Sequence, residues 1–149
     1  MRKAVLIAGL MMALSFASAK SYFGVFTGYP EAIGVQYTMD SGMRFSLGLP
    51  VFGGFGVAGS ADMILGNGDL GVENMDLGYY YGAGLSAFFV NYYYLGSDVG
   101  ANFHGLGGVE WLIPNTNFGV FWEAQLGVEF GSITGFGPFF GGRFGLNFR

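Results

Sequence analysis

Chemistry in this sequence has few places to reside. His104 is the only histidine, so any metal centre or histidine-based catalysis has to pass through it. Ser86 is the nearest serine in the same inward set, and no acid is placed to complete a triad with the two. The roles of a hydrolase are therefore unfilled, and His104 reads as a hydrogen-bonded interior or loop-proximal histidine. Glu110, Glu123 and Glu129 have the residue type that glycoside hydrolysis uses in pairs. In a narrow interior that also holds Arg44, Asp62, Gln125 and Arg143, they read instead as members of an ionic network that satisfies buried charge.

Two weaker patterns carry less. Gly66-Asn67-Gly68-Asp69, with Glu73 and Asp76, has the acids of a calcium loop without its spacing and reads as a solvated connection. Phe52-Gly53 and Phe55-Gly56 precede no helix, so they lack the N-terminus that binds phosphate. There is no cysteine, which excludes disulfides, thiolate metal sites and a lipoprotein anchor. The expected site list accordingly contains no catalytic residue, no metal and no cofactor.

The elements that must position these residues are strands. In residues 118 to 130, Phe118, Val120, Trp122, Ala124, Leu126, Val128 and Phe130 alternate with Gly119, Phe121, Glu123, Gln125, Gly127 and Glu129. Strand geometry sends successive side chains to opposite faces, so one face is wholly apolar and the other small, polar and charged.

The same period recurs. Residues 21 to 29 make a first strand, and Tyr29-Pro30-Glu31 a turn. The second strand sets Ile33, Val35, Tyr37 and Met39 against Ala32, Gly34, Gln36 and Thr38, and 40 to 42 form a hairpin turn. The third sets Met43, Phe45, Leu47 and Leu49 against Arg44, Ser46 and Gly48. A fourth runs from Val57 to Leu65, and a fifth places Leu77, Tyr79, Tyr81, Ala83, Leu85, Ala87 and Phe89 on one side. The sixth spans about Asn102 to Ile113, with Phe103, Val109, Trp111 and Ile113 opposing Asn102, His104, Leu106 and Glu110. The eighth sets Phe140, Phe144, Leu146 and Phe148 against Arg143, Gly145, Asn147 and Arg149. Between them lie expected loops at 50 to 56, 66 to 76, 90 to 101 and 131 to 137, and a short turn at 114 to 117.

Composition supplies the setting. Arg2 and Lys3, an apolar run from Ala4 to Leu14 and Ala17-Ser18-Ala19 make residues 1 to 19 a cleaved secretory signal peptide, followed by one domain over 20 to 149. The apolar run is shorter than the ~20 residues of a spanning helix. Two of the six basic residues lie in that segment and none of the ten acidic ones, so the domain is acidic and offers nothing to a phosphate backbone; no nucleic acid is expected as partner. Charged residues are only 11% and aromatics 19%, against the usual quarter charged, and glycine is about three times its ordinary share. A membrane-like composition with no spanning helix after residue 19 leads to a closed barrel: all-β, eight antiparallel strands, up-and-down, transmembrane.

A soluble barrel would show Lys, Glu and Thr on its second face, whereas here that face is mainly Gly, Ala and Ser with a few charges. Small residues relieve crowding inside an eight-stranded barrel, so the apolar face is expected to meet lipid. Arg44, Asp62, Glu110, Glu123, Glu129, Arg143 and Arg149 then all point inward. Pairing Phe130 with Pro138 sets Gln125 opposite Arg143, with Glu123 diagonal; pairing Val51 with Val57 sets Ser46 opposite Asp62, with Arg44 diagonal. The interior network is expected to comprise Arg44, Asp62, Glu110, Glu123, Gln125, Glu129 and Arg143. The lipid-facing aromatic belt is expected to comprise Tyr37, Tyr79, Tyr81, Trp111, Trp122, Phe140, Phe144 and Phe148.

This combination of signal peptide, eight alternating segments and a last strand with Phe144, Leu146 and Phe148 resembles the small eight-stranded bacterial outer-membrane barrels of the OmpA/OmpX/OmpW type, over residues 20 to 149. The resemblance implies residence in the outer membrane, outer-membrane lipid as surroundings, a last strand read by the barrel assembly machinery, and a monomer. Arg149 after Phe148 departs from the usual aromatic end of that strand. Connection lengths alternate in part. With the N-terminus in the periplasm, the short turns at 40 to 42 and 114 to 117 are expected on the periplasmic side and the longer loops at 50 to 56, 90 to 101 and 131 to 137 outside, whereas the short 29 to 31 and the long 66 to 76 break the rule. A structural or surface-interaction role is the first expectation; a lipid-modifying enzyme using His104, a narrow channel, and a soluble secreted β-sandwich or fibre-former are the alternatives.

Overall fold

Alternation of this regularity folds into eight strands, β1 Tyr22–Tyr29, β2 Glu31–Thr38, β3 Met43–Pro50, β4 Gly54–Asp69, β5 Asp76–Tyr92, β6 Gly96–Leu112, β7 Phe118–Gly131 and β8 Gly135–Phe148. In the computed structural model the described residues are 21–50 and 54–149. The signal segment at 1 to 19, and Val51 with the rest of 51–53, lie outside them. Each strand pairs antiparallel with its neighbours in sequence, and β8 pairs with β1 to close the barrel. All strand edges are thereby paired.

The stagger is fixed by the register. Gly24 leads through Gln36, Ser46, Ser60, Ser86, Asn102 and Glu129 to Gly137 on β8, whereas Gly24 itself pairs with Asn147. The wall therefore shears by ten residues, the separation of Gly137 and Asn147. In an eight-stranded barrel this accompanies a strand tilt of about 40° and a bore that side chains can fill.

Several strands are longer than the alternation suggested. Most of the stretches 90 to 101 and 131 to 137 and nearly half of 66 to 76, all expected as loops, is strand, and the connections shrink to 70–75, 93–95 and 132–134. Glycine is the reason that the sequence reads looser than the fold. In four interior pairs a bulky ring lies directly across from a glycine: Phe26 and Gly34, Tyr80 and Gly108, Phe88 and Gly100, Phe121 and Gly145. A Cβ at any of these glycines would run into the opposing ring. Tyr79 and Tyr81 cover Gly68 and Gly66 in the same way on the outside. Glycine-rich segments are thus strand partners of aromatics rather than flexible loops.

The loops expected to be long at 90 to 101 and 131 to 137 are short, while the two expected exceptions to the alternation, a short connection at 29 to 31 and a longer one within 66 to 76, are found. Among the described far-end connections, Pro30 alone joins β1 to β2, and three residues join β5 to β6 and β7 to β8. The six-residue connection 70–75 lies at the terminus end. The two three-residue turns are followed by Gly96 and Gly135 at φ 89° and 72°, the left-handed position that such hairpins place on glycine.

The barrel is apolar outside and polar inside. Trp122, Leu126, Phe140 and Phe103 are all more than half exposed. The largest fully buried side chains are Arg143, Phe121, Gln125, Glu123, Asp62 and Asp98.

Candidate functional site: a charged core across the bore

The inward parity of β3, β4, β6, β7 and β8 delivers charged side chains to one level of a narrow bore. Arg44 on β3 lies opposite Asp62 on β4, and Glu123 on β7 opposite Arg143 on β8. Both registers differ by two residues from the expected ones, which set Gln125 opposite Arg143 and Ser46 opposite Asp62. On β7–β8 the cause is the tight 132–134 turn; Phe130 pairs with Phe136 rather than Pro138. A two-residue shift preserves parity, so every inward residue stays inward.

Arg44 is the centre of the cluster. Its Nε and Nη2 donate to Asp62 Oδ2 at 3.0 and 2.8 Å, and its Nη1 and Nη2 donate to Glu123 Oε2 and Oε1 at 2.6 and 3.0 Å. β3 and β7 are four strands apart in a ring of eight, so this ion pair spans the diameter. Gln125 Nε2 donates to Glu123 Oε1 at 2.8 Å. Arg143 crosses another diameter, with Nη1 3.7 Å from Asp62 Oδ2, while its Nη2 donates to Glu31 Oε1 at 2.9 Å and its guanidinium lies 4.6 Å from the centre of the Phe26 ring. A guanidinium fork suits such shared contacts, because its planar donors reach two carboxylates at once.

His104 joins the same cluster. Its Nε2 is 3.0 Å from Asp62 Oδ1 and its Nδ1 is 2.7 Å from Asn102 Oδ1, so both ring nitrogens are engaged. Its other close neighbour is the Phe139 ring, 5.8 Å between centres. Ser86 is buried on β5 opposite Asn102, and His104 lies opposite Gly84.

Two expected members sit elsewhere. Glu110 belongs to a separate group nearer the termini, where it accepts from Asn147 Nδ2 at 2.7 Å and pairs with Arg149, and Asn147 Oδ1 accepts from Gln36 Nε2 at 3.0 Å. Glu129 lies toward the far end, half-buried beside a cleft of about 100 Å³, and has no ion pair among the described residues. The cause is distance along the strand: Glu129 stands six residues beyond Glu123 on β7, about 20 Å along it. Two charged or titratable members were missed: His104 was expected inside the barrel but outside the network, and Glu31 was not expected inside at all. Glu31, read as part of a turn, is 4% exposed because an irregularity between Glu31 and Ile33 reverses the inward parity of β2. The sequence carried no signal for it, because four carboxylates were already expected to face Arg44 and Arg143.

On the outer face, Tyr79, Tyr81, Trp111 and Trp122 gather in the terminus-side halves of β5, β6 and β7, with Phe144 and Phe148 on β8; Tyr37 is half-exposed and Phe140 lies farther up. A second aromatic group at the far end was missed, consisting of Phe55, Phe89, Phe130 and Phe136, with the last two rings 4.9 Å apart. The run 66 to 69, expected as part of a solvated connection, is strand paired with 78 to 81, and Asp69 caps the turn by accepting from Gly71 N at 2.7 Å.

The bore is filled at mid-height by the charged cluster together with Phe26, Leu106, Phe121 and Phe139, all buried. Compared with family models, curated proteins and solved structures, the chain matches none.

Proposed function

We propose that this protein is an integral outer-membrane β-barrel with a side-chain-filled interior and a structural or surface-interaction role. The observation that carries the proposal is the inverted distribution of polarity: ion pairs are buried at the axis while Trp122, Leu126, Phe140 and Phe103 are exposed. In water, an exposed apolar surface of this extent would drive aggregation. In lipid it is the favoured arrangement. On β7 the apolar face runs from Phe118 to Phe130, about 30 Å along the axis at a tilt of about 40°, enough to cover an apolar band of about 25 Å. The secretory pattern over residues 1 to 19 supports export, and the apolar face of β8 supports recognition by the assembly machinery.

The engaged nitrogens of His104 favour a structural histidine over a lipid-modifying catalyst, and the filled bore favours a closed barrel over a channel. With long external loops gone, surface interaction falls to the short far-end turns, where Tyr93, Tyr94 and Leu95 are strongly exposed. Detergent-extracted protein is expected to migrate differently before and after boiling, as a closed membrane barrel does. Mature protein that fractionates in buffer without detergent overturns the proposal. An unchanged lipid A profile on His104→Ala, and the absence of discrete conductance in planar bilayers, are the outcomes expected for a non-enzymatic closed barrel.

A further inference from the structure

The far-end mouth of the barrel is uneven. Seven residues of β8, Gly135 to Gly141, rise above the last pair of β1 with β8, Tyr29 with Gly142. The rim therefore dips at Tyr29 and Pro30, and there a cleft of about 100 Å³ opens, with Phe88, Tyr92 and Glu129 facing it from the taller strands β5 and β7. Glu129 is the one charged residue in its lining. Half-buried there, its carboxylate has neither a hydrogen bond nor an ion pair among the described residues.

The barrel has no cation to give it. Arg44 is committed to Asp62 and Glu123, Arg143 to Glu31 and Asp62, and Arg149 to Glu110; the described residues contain no other arginine and no lysine. Asp98, on β6 at the same end, is taken up by neutral donors, the Ser132 hydroxyl and the Ile133 N–H, and so adds a second negative charge.

A carboxylate partly withdrawn from water is stabilised by a cation, and the lining selects its kind. One carboxylate and two phenols are too few oxygens for Ca²⁺ or Mg²⁺, which take about six ligands or more. Three aromatic rings beside a carboxylate suit an organic ammonium, whose methyl groups pack on the ring faces while its charge meets both rings and carboxylate. The volume fits a head group, whereas a drug-sized ligand needs roughly 300 Å³ or more.

We propose that this far-end cleft binds an alkylated ammonium group, with Glu129 as its counter-charge and Tyr29, Phe88 and Tyr92 as its aromatic walls. The site goes beyond the structural role and does not rest on the membrane reading, because a folded barrel in detergent carries it. Free solutes and lipid head groups both present such a group.

Calorimetric titration with choline of full-length protein, folded in a maltoside detergent, tests the site. Saturable one-to-one binding is expected, weakened roughly tenfold or more in Glu129→Gln and in Tyr92→Leu, and largely restored in Tyr92→Phe, which keeps the ring. The uncharged analogue of choline, with carbon in place of nitrogen, is expected to bind far more weakly. No saturable binding of choline, unchanged affinity in Glu129→Gln, or equal affinity for the uncharged analogue would overturn the proposal. Repeating the titration on barrel folded in phosphatidylglycerol vesicles, with and without phosphatidylcholine, separates the two sources. Competition by phosphatidylcholine marks a lipid head group as the occupant, and undiminished choline binding marks a free solute. Migration before and after boiling reports the fold of each variant, and Glu129→Gln removes no hydrogen bond or ion pair among the described residues.

Discussion

Glu123 stands directly opposite Arg143 in the β7–β8 register, yet it gives its carboxylate to Arg44 across the bore, and Arg143 turns to Glu31 and Asp62. On β7–β8 adjacency in the sheet therefore does not set the partner, whereas on β3–β4 Arg44 and Asp62 are both neighbours and partners. The consequence is mechanical. Ion pairs across two diameters tie β3 to β7 and β4 to β8, so the core braces walls that share no backbone hydrogen bonds.

Arg44→Met should be among the most damaging single substitutions. It leaves Asp62 and Glu123 buried without their main cation, which costs about 3–5 kcal/mol. Urea unfolding of the barrel in lipid vesicles, followed by Trp111 and Trp122 fluorescence, is expected to show a lowered midpoint. Replacing Asp62 and Glu123 by apolar residues of similar volume in the same protein should recover most of that loss, because no unpaired charge remains.

Glu129 supplies the contrast. It has the same parity as Glu123 on the same strand, but no cation pairs with it among the described residues. Glu129→Gln is expected to change stability by less than about 0.5 kcal/mol, whereas Glu123→Gln, which removes half of a diameter-spanning pair, should cost several times more. Equal losses for the two would contradict the separation of levels.

How much of this was legible in the sequence differs by residue. The inward direction of Glu123 and the outward direction of Trp122 are local facts, fixed by a period of two within one segment. The pairing of Arg44 with Glu123 is not local, since 79 positions separate them and the stagger of the whole wall decides their level. Glu31 was hidden because one irregularity in β2 reverses the parity on which every other assignment relied. The loops expected at 90 to 101 and 131 to 137 failed for a related reason. Glycine signals a break when read along the chain, but Gly100 is the partner of the Phe88 ring when read across the sheet.

That cross-sheet reading gives a paired test on glycine. Gly145→Ala would drive a methyl into the Phe121 ring and the Val25 carbonyl, and should destabilise by about 1–3 kcal/mol. Gly107→Ala, on the outer face of β6, meets nothing within 4 Å and is expected to be near neutral. Unfolding midpoints in the same vesicles compare the two directly.

The apolar face is proposed to meet lipid, and the absence of native cysteine makes that contact directly testable. Leu126, 61% exposed at the middle of β7, is replaced by cysteine and spin-labelled in barrel folded into phospholipid vesicles. Collision with dissolved oxygen should then greatly exceed collision with a water-soluble nickel chelate, as for a residue in the hydrocarbon region. Preferential collision with the nickel chelate would place this face in water and contradict the account.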